Sequence, residues 1–183
     1  DMTRSRGLGD VYKRQLVYAI HHFEEHIIFN FREWRLKYFL DNNQLSTEEM
    51  LIRLMIMSLV LIFFHTVRQN RASAHLVLFF LMTTQVVNAI FHAFFSLWYQ
   101  DFSPGTITGV LLYLPVNFLI VRAALQEKYL YNYYEAVLLF FAGAIAFTLF
   151  ELLGPKLMVF IVLLLPFYYI IMNNLSKNIH YRV

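Results

Sequence analysis

Leu16-Val17-Tyr18-Ala19-Ile20-His21-His22-Phe23-Glu24-Glu25-His26-Ile27-Ile28-Phe29 sets five titratable side chains between two apolar runs. In water such a stretch would expose its apolar flanks. In a bilayer it would bury its acids, each at a cost of about 2.5–3.5 kcal/mol near mid-membrane. The remainder of the chain decides between these solvents. Of its 183 residues, 59% are hydrophobic, 18% aromatic and only 15% charged. A soluble domain is nearer 45–50% apolar and about 25% charged. The stretch therefore reads as a membrane helix. Its acids need a metal, a proton, a cationic partner or water to offset their burial.

Working outward, the apolar segments predict an all-α membrane bundle of about six helices. The first runs over 16–31 and is too short to span alone, because a span takes about 20 apolar residues. Arg32-Glu33-Trp34-Arg35-Leu36-Lys37-Tyr38-Phe39 mixes aromatic and basic residues, which suits the membrane interface. Asp41-Asn42-Asn43 signals a turn, and Ser46-Thr47-Glu48-Glu49 an N-cap with first-turn acids. Further helices are expected over 50–67, 74–99, 106–124, 133–152 and 156–172, with Pro115 kinking the fourth and a polar tail over 173–183. The first fifteen residues differ. Gly7-Leu8-Gly9-Asp10-Val11-Tyr12-Lys13-Arg14-Gln15 resembles a translated sequencing adapter, so 1–15 are set aside as foreign to the fold and 16–183 taken as one membrane domain.

Several function classes fall away. No cysteine is present, so thiolate chemistry and disulfides are excluded. The formal charge of +3 is small and its basic residues scattered, giving no nucleic-acid footprint. No phosphate loop, dinucleotide fingerprint, nucleophile elbow or zincin box occurs, and no internal repeat. With six crossings both termini share a side, and Arg68, Arg71, Arg122, Lys128, Lys177 and Arg182 on that side favour cytoplasmic termini in the inner membrane of a cell.

On a helix, residues three and four apart share a face. His21, Glu24 and Glu25 therefore lie within about 100° of arc, and His22, Glu25 and His26 form an overlapping set. Imidazoles with carboxylates on one stripe suit a divalent metal such as zinc, iron or manganese, and equally a proton relay. Glu24 and Glu25 stand six or seven residues from the end of the first helix, and His92 about seven from the end of the third. Both helices run the same way, so these side chains share a depth of about 10 Å at 1.5 Å per residue. Asn88 lies one turn from His92 on the same face. Pro104-Gly105, then Thr106 and Thr108, return the chain to that layer, and Glu151 lies at a similar level.

His21-x-x-Glu24-Glu25, then Asn88-x-x-x-His92, then Pro104-Gly105 before Thr106-Ile107-Thr108-Gly109, resembles the HXXEE family of small prokaryotic membrane proteins. The likeness covers roughly 16–115. Where that family usually carries a Tyr two before the Pro-Gly, this chain has Phe102. The resemblance implies a shared site; no activity comes with it. His22-x-x-x-His26 is similar to one box of the membrane di-iron desaturases, but the other histidines form no further boxes, which excludes that class.

The expected site has His21, Glu24 and His92 as ligands of a divalent metal (zinc or iron). Glu25 is the general base, and Asn88 orients His92. His22, Pro104, Gly105 and Glu151 support the site, while His26 is solvated at the interface. The expected function is metal-dependent hydrolysis of a lipid-like substrate in the bilayer. Two alternatives stay open: an ion- or proton-coupled transporter, and a scaffold whose polar cluster only fixes packing. His65 and His75, at the opposite surface, are expected to be solvated, and Glu135 to sit at the interface.

Overall fold

In the computed structural model, which describes residues 16–41 and 46–180, the described residues form seven helices and no strand. The turn read at Asn42 and Asn43, the segment 1–15 and the last three residues of the tail lie outside the described residues. The elements are α1 (16–28), α2 (Phe31–Tyr38), α3 (Thr47–Arg68), α4 (Arg71–Tyr99), α5 (Thr106–Gln126), α6 (Tyr133–Leu153) and α7 (Lys156–His180). The helices from α3 to α7 are each long and apolar enough to cross a membrane.

Capping chemistry sets the helix starts. Glu49 N–H donates to Ser46 Oγ at 3.2 Å, and Ser46 N–H returns to Glu49 Oε2 at 3.0 Å, a reciprocal capping box on α3. Asn70 and Ser73 do the same for α4, and Asn132 caps α6. Two boundaries differ from expectation. The first helix stops at 28 instead of 31. Phe29 adopts an extended backbone, Asn30 caps the next turn, and the interfacial segment becomes the separate helix α2. The last helix runs eight residues beyond 172, because the polar segment holds no Gly or Pro to end it.

Helix α4 is the centre of the bundle. Its residues from Ala72 to Leu78 are buried, and it packs against α3, α5, α6 and α7. By contrast α7 buries none of its spanning window, and α3 exposes Ile52, Ile56, Leu59, Val60 and Phe63. Apolar side chains facing outward over whole helices are stable only where the solvent is hydrocarbon.

Among the described residues, three π-turns interrupt the helices: Phe23–Ile28 in α1, Met82–Val87 in α4 and Gly109–Tyr113 in α5. Each lies next to a residue expected in the site, as such bulges often do. The distortion expected at Pro115 takes this form, with the π-turn ending two residues before the proline. The wide turn in α4 is accommodated by Gly143 of α6, where a Cβ would stand 3.0 Å from the Thr83 backbone nitrogen.

Candidate metal centre

The π-turn of α1 carries both glutamates inward: Glu24 and Glu25 are 4% and 3% exposed. Adjacent residues on a helix point about 100° apart, and here they meet different partners. The Glu24 carboxylate turns to the start of α5. Its Oε1 accepts the N–H groups of Gly105 and Ile107, both at 3.2 Å, and its Oε2 accepts Thr108 N–H at 2.7 Å. Glu24 thus caps α5, where exposed N–H groups and the helix dipole favour an anion. Hydrogen bonds to a charged group contribute about 1.5–3 kcal/mol each. Three of them exceed the insertion cost of one acid, so the burial of Glu24 is offset without a cationic partner.

Glu25 turns instead into a ring of imidazoles. Its Oε1 is 2.8 Å from His92 Nε2 and 3.6 Å from His21 Nε2; its Oε2 is 3.0 Å from His22 Nδ1 and 3.5 Å from His26 Nε2. The expected positions of the two acids are therefore exchanged: Glu25 stands with His21 and His92, and Glu24 stands apart from them. The side chains of Glu25 and His92 touch, so the depth match between α1 and α4 is a contact. The ligand atoms of His21, Glu25 and His92 all lie within 4.8 Å of one another, and so do those of His22, Glu25 and His26.

Each inner imidazole is held by its other nitrogen. His21 Nδ1 is 2.8 Å from Thr108 Oγ1, and His92 Nδ1 is 2.9 Å from Ser103 Oγ. Ser103 is itself fixed by its N–H donating to Ser96 Oγ, which lies 2.8 Å from Thr106 Oγ1. Such partners set the tautomer and aim Nε2, the pattern seen around ligating histidines. Asn88 does not orient His92, as expected from their spacing; Ser103 holds that place. The Asn88 Oδ1 is buried without a hydrogen-bond partner and its side chain lines the adjoining cavity.

The Nε2 atoms of His21 and His92 are also buried without a partner in hydrogen-bonding geometry, although carboxylate oxygen stands beside them. This grouping could hold a metal ion.

Gly105 allows this approach. Its φ is +96°, and a Cβ there would stand 2.9 Å from Glu25 Cγ, 2.9 Å from His21 Cε1 and 3.1 Å from His92 Nε2. Only a residue without a side chain lets the Pro104-Gly105 turn close over the cluster.

Residues 15–120 match the family described as "Protein of unknown function with HXXEE motif". The chain belongs to the HXXEE family. No curated protein and no solved structure matches it. The matched span holds α1 to α4 and most of α5, and with them every residue of the cluster. The motif letters are thus His21, which faces Glu25, and the two glutamates with their separate partners.

A cavity of about 230 Å³ adjoins the cluster. Tyr18, His21, His22, Glu25 and His26 form its polar wall; Leu54, Met57, Leu61, Phe79 and Leu165 are among its apolar lining. Half-exposed Arg32 and Asp41, 3.9 Å apart, also border it. Glu151 lines this cavity without joining the cluster, because it pairs with Arg35 of α2 at 2.9 Å. His22 and His26 are half-buried beside Glu25, so His26 is not a solvated interfacial group.

Sequence reasoning missed Tyr18, Tyr113 and Ser103. The Tyr18 and Tyr113 hydroxyls are buried without partners, and their rings lie 4.2 Å from those of His22 and His21 respectively. Tyr18 had a signal, since it stands three and four residues before His21 and His22. Tyr113 and Ser103 had none, because only the folding of α5 onto α4 brings them in.

At the other end of the bundle His75 is buried, contrary to expectation. Its Nδ1 lies 3.1 Å from the Tyr168 hydroxyl and its Nε2 3.7 Å from Glu135, which pairs with Arg71. His65 is half-buried, with Nδ1 2.9 Å from Ser73 Oγ. Outside the spanning segments, Tyr38 of α2 donates to Asp101 at 2.8 Å, which pushes its phenol pKa up and ties α2 to the turn after α4.

Proposed function

We propose that this HXXEE protein is a metal-dependent enzyme of the prokaryotic cell membrane that hydrolyses a bond in a lipid-like substrate. The observation that carries this reading is the meeting of His21, Glu25 and His92 beside a largely apolar cavity, with His21 and Glu25 on its wall. His21 and His92 would hold the ion through Nε2 and Glu25 through Oε1, with Thr108 and Ser103 fixing the rings. Glu24 would hold the α5 turn in place rather than bind. A bound zinc or iron would lower the pKa of a coordinated water to about 7 and polarise the bond under attack.

The chain's own residues would do the rest. The apolar wall of Leu54, Met57, Leu61 and Phe79 would take a hydrocarbon chain and exclude bulk water. Asn88 Oδ1, unpartnered and facing the cavity, would accept a hydrogen bond from the attacking water or the substrate. Arg32 and Arg35 would stand over the polar end. Metal analysis of the purified protein tests this reading, together with hydrolysis of a panel of amphiphilic esters and phosphoesters. A bound transition metal is expected, with both metal and activity lost in His92→Ala. Metal-free protein, or hydrolysis unaffected by His92→Ala, would sink it.

A second reading, an ion- or proton-coupled carrier, is favoured by one observation. Phe79, Ile161 and Leu165 line both this cavity and a larger one, about 1150 Å³, reaching Arg71, His75 and Glu135 at the other end. A liposome flux assay separates the two: proton or cation movement abolished by Glu25→Gln would select the carrier.

A further inference from the structure

Glu25 has two carboxylate oxygens, and four imidazoles divide between them. His21 and His92 face Oε1 at 3.6 and 2.8 Å; His22 and His26 face Oε2 at 3.0 and 3.5 Å. Two ligand atoms held about 2.0–2.1 Å from one tetrahedral ion stand about 3.3 Å apart. All four separations lie within about 0.5 Å of that value. His22 Nε2 is buried with no hydrogen-bond partner, and His22 Nδ1 has only the Glu25 carboxylate, 3.0 Å away. The His22 and His26 rings are also parallel, 6° between planes at 5.6 Å, with a nitrogen of each beside the same oxygen.

We propose that the cluster binds two divalent metal ions bridged by the Glu25 carboxylate. The inner ion sits on His21, His92 and Oε1, the outer ion on His22, His26 and Oε2. The proposal rests on the metal reading above and extends it. The two positions differ in access. The inner ligands are buried and one of them, His92, does not reach the cavity, whereas His22 and His26 are half-buried and both line it. The outer ion is therefore the one that reaches substrate. A carboxylate bridging in this way sets two ions at the separation of two-metal hydrolytic centres, about 3.5–4 Å.

Charge then names the substrate class. Glu24 is committed to α5, so one carboxylate faces two divalent ions and the site carries excess positive charge in an apolar setting. The group that completes it is anionic: a phosphate or carboxylate head on a chain lying along Met57, Leu61, Phe79 and Leu165.

The test uses the full chain in detergent, stripped with a chelator and titrated with Mn²⁺. Two ions per chain are expected by mass spectrometry of the metal, with an exchange-coupled electron paramagnetic resonance spectrum. His26→Ala should bind one ion and give an uncoupled spectrum. Added inorganic phosphate should change the coupled spectrum; an unchanged spectrum overturns the anionic assignment. One ion per chain in the wild type overturns the outer site and leaves the inner one standing. No ion at all overturns the metal reading itself. Circular dichroism shows whether His26→Ala has folded, and if it has not, the wild-type stoichiometry and spectrum decide alone.

Discussion

Replacing Gly105 by alanine adds a single methyl group at the point where the Pro104-Gly105 turn closes over the cluster. Two costs follow. At φ +96° a Cβ is strained whatever its surroundings, by about 1–3 kcal/mol. The methyl group would also stand 2.9 Å from Glu25 Cγ and His21 Cε1 and 3.1 Å from His92 Nε2. None of the three is a free chain end, and Ser103 holds the His92 ring. The His21 ring is held by Thr108, and Glu25 lies between four imidazoles. Overpacking of this kind costs about 1–3 kcal/mol. The sum, about 2–6 kcal/mol, is a large share of a stability that is commonly about 5–15 kcal/mol.

The assay is unfolding in mixed micelles followed by circular dichroism, run beside metal titration. Gly154→Ala is the control. Gly154 also has a positive φ, +72°, but lies in the turn between α6 and α7, away from the cluster. Both variants should lose stability through backbone strain. Gly105→Ala alone should also lose metal affinity, by at least tenfold, because the turn and the cluster cannot both keep their places. Equal behaviour of the two variants would refute the claim that the glycine is there for the site.

The two glutamates should separate cleanly. Glu24→Gln keeps an acceptor oxygen and is expected to retain metal while losing about 1–3 kcal/mol of stability through the weakened α5 cap; Glu25→Gln should abolish binding, as measured by metal content after gel filtration. Ser103→Ala frees the His92 ring and should lower metal affinity about 10–100-fold with the fold intact, read by competition with a chelating dye. At the far end, Arg71→Leu takes the cation from half-buried Glu135, which keeps Tyr131 N–H and His75 beside it, and should cost about 1.5–3 kcal/mol, whereas Arg71→Leu with Glu135→Leu together should cost less, and metal content should be normal in the double variant. Because the chain has no cysteine, single cysteines at Lys128 and Asp41 test the orientation: a membrane-impermeant thiol reagent on intact cells should label Asp41→Cys and spare Lys128→Cys.

What was legible in the sequence follows from range. Helix existence rests on composition along one segment, so the spans from α3 to α6 fall within a few residues of expectation, and the Ser46 cap is where its residues place it. The depth match between Glu25 and His92 was also legible, since rise per residue and helix direction suffice. The break at Phe29 and Asn30 was not, because no Gly or Pro marks it. Nor could His75 be told from a loop-end histidine. It lies four residues inside α4, and only the docking of α6 and α7 buries it against Glu135 and Tyr168.

The exchange between Glu24 and Glu25 shows why spacing alone fails at the site. His21, Glu24 and Glu25 share a face within about 100°, which is wide enough to hold two separate neighbours. Helix α5 lies at one edge of that arc and α4 at the other. The glutamate nearer α5 meets backbone N–H groups at 2.7–3.2 Å, and the one nearer α4 meets His92 at 2.8 Å. Adjacent acids in a membrane helix would repel if they shared one site; here each has its own partners, a helix N-terminus for Glu24 and four imidazoles for Glu25. The pair therefore does two jobs with one turn of chain. Moving either carboxylate by one position should fail even though the composition is unchanged. The variant with Glu24→Ala and Phe23→Glu keeps two acids in α1, yet it aims one of them about 100° away from the α5 N–H groups. It should lose the cap and be no more stable than Glu24→Ala alone, and recovery of wild-type stability in that variant would show that charge, not direction, is what the motif supplies.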